Sequence, residues 1–241
     1  MNQVFNSLLA PATVIGNGMI AQRFSKYTGQ TDIVLFASGV SNSKETRTAP
    51  YIRERVLLEK TLAKLTDQLF VYFSTASVND PTEKNSPYIL HKLAAEQLIS
   101  TWAPNYLIVR ASNVVGGLGN RYTIMNYFWE HIQQGKSFAI WQHATRNLIG
   151  LDDLYLAVEQ AVLCGSYQNR ILTLVNPYSV KPLQIVEAIE TYIGKRAVFE
   201  KVEKGISFDI RTDIEQLLDV EESYWQPDQY IHRLLSKYYE L

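Results

Sequence analysis

The chain is poor in the residues that commonly announce chemistry: it has one cysteine and four histidines, and no run of lysine or arginine. The single thiol, Cys164, excludes an internal disulfide and suits a reducing compartment. Its flanks, AVL before and GSY after, place it at the end of an amphipathic helix, where it is expected to be a buried structural thiol. His91, His131, His143 and His232 are scattered without metal-like spacing, so no metal site is expected. A net charge of −1, without a basic run, gives no footprint for nucleic acid or an anionic membrane surface. The N-terminal residues lack a cationic start with a long apolar core, and no apolar run approaches a membrane-spanning length. Neither a signal peptide nor a transmembrane helix is therefore expected. Together these absences point to a soluble, cytoplasmic protein and leave its chemistry open.

What is present is a globular pattern. Over 241 residues, 46% are hydrophobic and 20% charged, which fits a full-sized core. We read a first region over residues 1–120 and an interleaved remainder with a small C-terminal lobe over 121–241, forming one compact unit. Residues 1–10 are a lead-in. ATVI (12–15) reads as a buried strand and is followed at once by GNGMIA. Gly16, Gly18 and Ala21 match the Gly-x-Gly-x-x-Gly/Ala fingerprint of dinucleotide-binding turns. The first glycine permits a tight turn, the second lets backbone approach a pyrophosphate, and the small third residue lets helix and strand pack closely. A helix over roughly Gly18 to Tyr27 would aim its first amides at that phosphate.

DIVLFASG (32–39) is apolar almost throughout, as a parallel strand covered on both faces should be. KETR (44–47) reads as a solvated loop, Tyr51 to Leu65 as a helix, and LFVYF as another buried strand. YLIVRASNVVGG reads as a strand leading to Asn113 and a Gly116–Gly117 turn. TIMNYFWEHIQQGK, NLIGLDDLYLAVEQAVL and PLQIVEAIETYIG carry helices; SFAIW, ILTLVNP and AVFEKV are strands; RTDIEQLLDV and DQYIHRLLSKYYEL are helices. Alternation of strand and helix implies a Rossmann-like parallel α/β sheet with helices on both faces.

The stretch FSTASVNDPTEKNSPYILHK (73–92) is the candidate catalytic segment. It ends a strand with Ser74 and Thr75 and opens a helix, with Ser86 as N-cap and Pro87 at the first helical position. Tyr88 and Lys92 lie four residues apart on one helix face. A cation beside a phenol favours phenolate, which suits a tyrosine serving as acid or base near neutral pH. With fifteen tyrosines in the chain, that spacing carries weight only in context.

The context is a series of motifs in order. GNGMIA, DIVLFASG, FSTASV, SPYILHKLAAEQLI, RASNVVGG, RNLIGLDDLYLAV and LVNP together resemble the extended short-chain dehydrogenase/reductases, the NAD-dependent epimerase/dehydratase family that modifies nucleotide sugars. The resemblance covers roughly residues 12 to 180. It implies that Tyr88 is the general acid/base, that Lys92 lowers its pKa and holds the nicotinamide ribose, and that Thr75, rather than Ser74, shares the substrate oxygen. It implies NAD or NADP as cofactor, held by Gly16, Asn17, Gly18, Met19, Ile20, Ala37, Ser38 and Lys92. Asn113 and Arg146 would meet a nucleotide-sugar substrate, Asp153 would be structural, and the Tyr51 and Tyr88 helices would pair with their copies in a homodimer.

The departures sharpen the expectation. Only a short segment separates the first helix from DIVLFASG, where relatives fit two further strands and helices. The acidic residue that holds the adenosine ribose, about twenty positions on, has no counterpart. The sheet should be trimmed by about two strands, with the fingerprint strand at or near an edge. Ala76–Ser77 stand where sugar dehydratases place an acid pair, which argues against a 4,6-dehydratase. The expected function is 4-keto reduction of a nucleotide-linked sugar, with epimerisation, or non-catalytic binding of a dinucleotide or sugar nucleotide, as alternatives.

Overall fold

The computed structural model describes residues 13–240; the lead-in expected over 1–10 lies outside the described residues. Within them the chain runs β1 (Val14–Ile15), α1 (Met19–Arg23), β2 (Ile33–Phe36), α2 (Thr48–Leu62), β3 (Leu69–Thr75), α3 (Pro87–Trp102), β4 (Asn105–Ala111) and β5 (Asn113–Val115). It continues through α4 (Ile124–Gln134), β6 (Phe138–Trp141), β7 (Leu148–Gly150), α5 (Leu151–Cys164), β8 (Arg170–Leu174), α6 (Pro182–Ile193), β9 (Phe199–Val202) and α7 (Pro227–Tyr238).

Five strands form one parallel sheet in the order β1-β2-β3-β4-β8. The apolar runs explain why. Side chains alternate across a strand, so one run must feed two cores. Leu35, Val71, Phe73 and Val109 point into a core shared with Phe24 and with Leu154 and Val158 of α5. Val34, Phe36, Phe70, Tyr72 and Ile108 point the other way, under Leu58 and Leu62 of α2 and Ile99 of α3. Among the described residues β1 is an edge strand, as the short link after the fingerprint helix predicts.

The first core continues without a break into the C-terminal part, through Ile185, Ile189, Trp225, Tyr230 and Tyr239. There β5 pairs with β7 and β6 with β9, each in parallel. The tyrosines of α7 are structural, as the sequence suggests: Tyr230 Oη donates to Asp153 Oδ2 (2.6 Å), and Tyr238 Oη accepts from the Asp152 amide (3.0 Å). Asp153 also accepts from Tyr224 (2.6 Å), which fits its expected structural role. Among the described residues no helix is long and apolar enough to cross a membrane.

Four local expectations are corrected. Helix α1 ends at Arg23 and passes into a 3-10 turn over Ser25–Tyr27. RTDIEQLLDV is not a helix beyond a 3-10 turn at Ile214–Gln216, because its backbone is spent on β8. Asp213 bonds Thr173 through both its amide (2.9 Å) and its carboxylate (2.8 Å), and Thr212 Oγ1 donates to the Val175 carbonyl (2.8 Å). Cys164 is exposed rather than buried: α5 buries Leu154, Ala157, Val158 and Ala161, and its last residue faces out with Sγ 2.9 Å from Ser166 Oγ. KETR is not wholly solvated. Glu45 is buried, accepts from the Arg47 amide (3.0 Å) and guanidinium (2.7 Å), and its carbonyl accepts from Tyr51 Oη (2.7 Å).

Candidate active site

Most of the residues singled out in the sequence lie beyond the C-terminal ends of the parallel strands, where open α/β sheets place their ligands. Gly16 follows β1, Ala37 and Ser38 follow β2, Thr75 closes β3, and Asn113 follows β4. Gly16 has φ +131°, and a side chain there would sit 2.5 Å from the Ala37 carbonyl oxygen and 3.2 Å from the Ser38 amide. The fingerprint turn and the β2 loop are thus packed backbone to backbone. Gly18, the N-cap of α1, is the opposite case: nothing lies within 4 Å of where its side chain would point. Gly16, Asn17 and Gly18 are exposed, Ala21 is buried, and Met19 and Ile20 turn their side chains into the core.

At the end of β3 the two hydroxyls part company. Ser74 Oγ donates to Glu96 Oε1 (2.5 Å), which is held from its other side by Arg110 Nε (3.0 Å). Thr75, one residue on, faces the other way. Its Oγ1 accepts from the Ser77 amide (3.1 Å) and caps a 3-10 turn over Ala76–Asn79. Among the described residues no acceptor takes the Thr75 hydroxyl hydrogen.

Helix α3 begins as its sequence dictates: Ser86 Oγ accepts from the Ile89 amide (3.3 Å) and Pro87 takes the first position. Tyr88 and Ile89 pack with Val40, against Val78 from the Thr75 turn and Tyr51 from α2. One turn further on, Lys92 Nζ lies 6.0 Å from the centre of the Tyr88 ring.

Lys92 does not stand alone. Nζ donates to Tyr72 Oη (3.0 Å) and Glu54 Oε1 (3.2 Å), while Tyr72 Oη donates to the same carboxylate oxygen (2.7 Å). Glu54 Oε2 accepts from the Val40 amide (2.6 Å), and His91 Nε2 lies 3.0 Å away without the alignment of a hydrogen bond. Burial alone would strip the charge from Lys92; Tyr72, Glu54 and Tyr88 reverse that and push its pKa above the ordinary lysine value. Burial likewise opposes the Glu54 charge, but Lys92 and the hydrogen bonds from the Val40 amide and Tyr72 overcome it and hold the carboxyl at about 2. Burial drives Tyr72 well above the phenol range, so its hydroxyl stays protonated.

Of the expected substrate residues, Asn113 is tied to Asn147, the residue after Arg146: its amide and Nδ2 both donate to the Asn147 carbonyl (3.2 and 2.8 Å). Arg146 pairs its backbone with Val180, donates from Nη1 to the Thr145 carbonyl (2.8 Å), and lies 5.9 Å from the Trp141 ring centre. Burial lowers its pKa against the fields of Asp80 and Glu83, in the segment that links Thr75 to Tyr88. Asn147 in turn clasps Asn176 after β8, donating to its carbonyl (2.7 Å) and accepting from its amide (3.1 Å).

The motif reading passes over Glu54, Tyr72 and Asn147. One signal exists for Glu54: it shares a helix face with Leu58 and Leu62, one and two turns on, and is therefore a carboxylate on an inward apolar stripe.

The model of the NAD-dependent epimerase/dehydratase family matches residues 17–163, more than half of the chain. No curated protein matches the sequence. Solved structures do. UDP-glucuronic acid 4-epimerase from Bacillus cereus, in complex with NAD, superposes with a TM-score of 0.69 at 17% identity, over 87% of this chain and 73% of that one. For dTDP-glucose 4,6-dehydratase from Bacillus anthracis, also with NAD, the TM-score is 0.64 at 17% identity, over 86% and 74%. UDP-glucose 4-epimerase from Thermotoga maritima, with UDP-glucose, gives 0.61 at 18% identity, over 91% and 80%. At such identities these likenesses establish the fold: a five-stranded Rossmann-like sheet shortened on its cofactor side. With the family match over the fingerprint helix, the Thr75 strand and the Tyr88 helix, the chain belongs to the NAD-dependent epimerase/dehydratase family.

Proposed function

We propose that the protein is an NAD(P)-dependent oxidoreductase of a nucleotide-linked sugar, most directly a 4-keto reductase in surface-polysaccharide or deoxysugar synthesis. The observation that carries this reading is the family match that spans Thr75 at the C-terminal end of β3 and Tyr88 in the first turn of α3. Two donors there suit an oxygen gaining negative charge. The rim also fits the phosphate half of a dinucleotide: Gly16 allows the close turn against Ala37, and the space beside Gly18 is open to a pyrophosphate. Gly16, Asn17, Gly18, Met19 and Ile20 would hold that half through backbone, and Ala37 and Ser38 would flank the nicotinamide. When bound, the nicotinamide supplies or accepts the hydride.

The chain's own residues do the rest. Tyr88 gives its proton to the substrate oxygen as charge builds, Thr75 orients that oxygen, and Lys92 keeps positive charge beside the phenol. Asn113 and Arg146 would receive the nucleotide diphosphate, for which a guanidinium fork is suited. The solved relatives named with UDP-glucose or as UDP- and dTDP-sugar enzymes support that substrate class. Ala76 and Ser77 argue against dehydration, because neither supplies an acid or base. Incubating the protein with a panel of nucleotide 4-keto sugars and NADH or NADPH should deplete absorbance at the nicotinamide band. Epimerisation without net depletion would identify the epimerase instead.

A second reading, a non-catalytic binding protein, is favoured by one observation: the Lys92 ammonium is already engaged by Glu54 and Tyr72. The assembly we propose is a homodimer through α2 and α3. Ile52 and Val56 on α2, and Leu90, Leu93 and Trp102 on α3, expose apolar surface beside a cavity of about 270 Å3 between the helices. Light scattering should give the mass of two chains; a strictly monomeric mass overturns this assembly.

A further inference from the structure

We propose that Glu54 is a positioning residue that withholds Lys92 from the cofactor, so that NAD engages the lysine only by displacing a contact built into this chain. The inference rests on the reading above that NAD binds at the fingerprint rim. Its starting point is the count of donors on the ammonium. Lys92 has three N–H groups. One goes to Glu54 Oε1 and one to Tyr72 Oη. Gly39 closes over the pair: a side chain there would lie 2.5 Å from Nζ and 3.2 Å from Glu54 Oε1. Lys92 is 2% exposed and Glu54 0%, so no donor faces the open rim.

The competition is unequal. A carboxylate binds an ammonium more strongly than a neutral ribose hydroxyl does. The same carboxylate takes the Val40 amide at 2.6 Å, and so pins the loop from Ala37 to Val40 that packs on Gly16. Glu54 sits in line with Leu58 and Leu62 on the inward stripe of α2, so its carboxylate meets Lys92 within the core. Cofactor affinity is therefore reduced by the fraction of molecules in which Lys92 is free.

Calorimetric titration of the full chain with NAD tests this, using wild type, Glu54→Gln and Tyr72→Phe. Glutamine keeps the shape. Its carbonyl answers the Val40 amide and turns its NH2 toward Lys92, which repels the ammonium. Glu54→Gln should melt at a lower temperature yet bind NAD about tenfold more tightly. Tyr72→Phe frees one N–H and should shift affinity in the same direction by less, and it decides the matter if Glu54→Gln fails to fold. A merely structural role predicts the reverse sign, with lower melting temperature and weaker NAD binding. Equal or weaker NAD affinity in the folded variants, with wild type binding, overturns the inference and leaves the proposed function standing. No NAD binding by any of the three chains overturns both.

Discussion

The two ends of the candidate site are built to different standards. Around β3 and α3 a buried network of polar groups ties the elements together: Ser74 to Glu96, Glu96 to Arg110, and Lys92 to Glu54 and Tyr72. Around β1 the fingerprint residues are exposed, the strand is two residues long, and among the described residues it has a neighbour on one side only. A central strand must break two ladders to move, whereas an edge strand breaks one. On that count the half around β3 and α3 is the stiff one and the half around β1 the yielding one. This contrast separates what the protein holds in place from what a ligand must help to assemble.

The largest test strikes at the stiff half. Tyr88→Phe removes one oxygen and keeps the ring packed on Val40 and Ile89. If the phenol transfers the proton, turnover on any accepted keto sugar should fall roughly a hundred- to ten-thousandfold. NAD affinity and melting temperature should hold. Unchanged ligand response in that variant would instead mark the chain as a binding protein and make the stiff half a scaffold.

The contrast also explains what the sequence made legible. Backbone-dictated features were readable: the turn at Gly16, the N-cap at Ser86, the apolar runs of β2 and β3, and the edge position of β1 inferred from a short link. Each depends on neighbours within a few residues. Glu54 was not readable as a partner of Lys92, because the contact spans 38 residues and joins two helices whose approach only the folded sheet fixes. The failed helix at RTDIEQLLDV has the same cause in reverse. Its local pattern is helical, yet Asp213 and Thr212 find stronger partners on β8. Cys164 was misplaced because it lies in line with the buried Ala157 and Ala161 yet is the last residue of α5, where the helix has run past the core.

A second test measures how much stability the buried pair contributes. Lys92→Met leaves Glu54 buried without its cation and should cost about 3–5 kcal/mol in denaturant unfolding. The double variant Glu54→Leu, Lys92→Met should recover most of that loss, since two apolar groups replace the pair. The pair also fixes the sign of an acid limb. The Glu54 pKa is depressed from 4.5 to about 2 in the folded chain. Its contribution is therefore complete above the unfolded value and is lost as pH falls from 4.5 toward 2. Wild type should weaken across that window, and the double variant should weaken less. Parallel acid limbs in the two chains would show that Glu54 is not held as a charged partner of Lys92.

The smallest expected effect on stability is the sharpest probe of the yielding half. Gly16→Ala forces a side chain into φ +131° and against the Ala37 carbonyl oxygen, and should cost about 1–3 kcal/mol. Gly18 has φ −77° with open space beyond it, so Gly18→Ala should change stability by less than about 0.5 kcal/mol. That space is where a pyrophosphate would approach the first turn of α1, and the added methyl group should weaken NAD binding without moving the melting temperature. The two glycines thus separate folding from ligand approach within one turn. If Gly18→Ala leaves NAD affinity intact, the exposed turn is a chain reversal alone, and the cofactor half has yielded its function along with its strands.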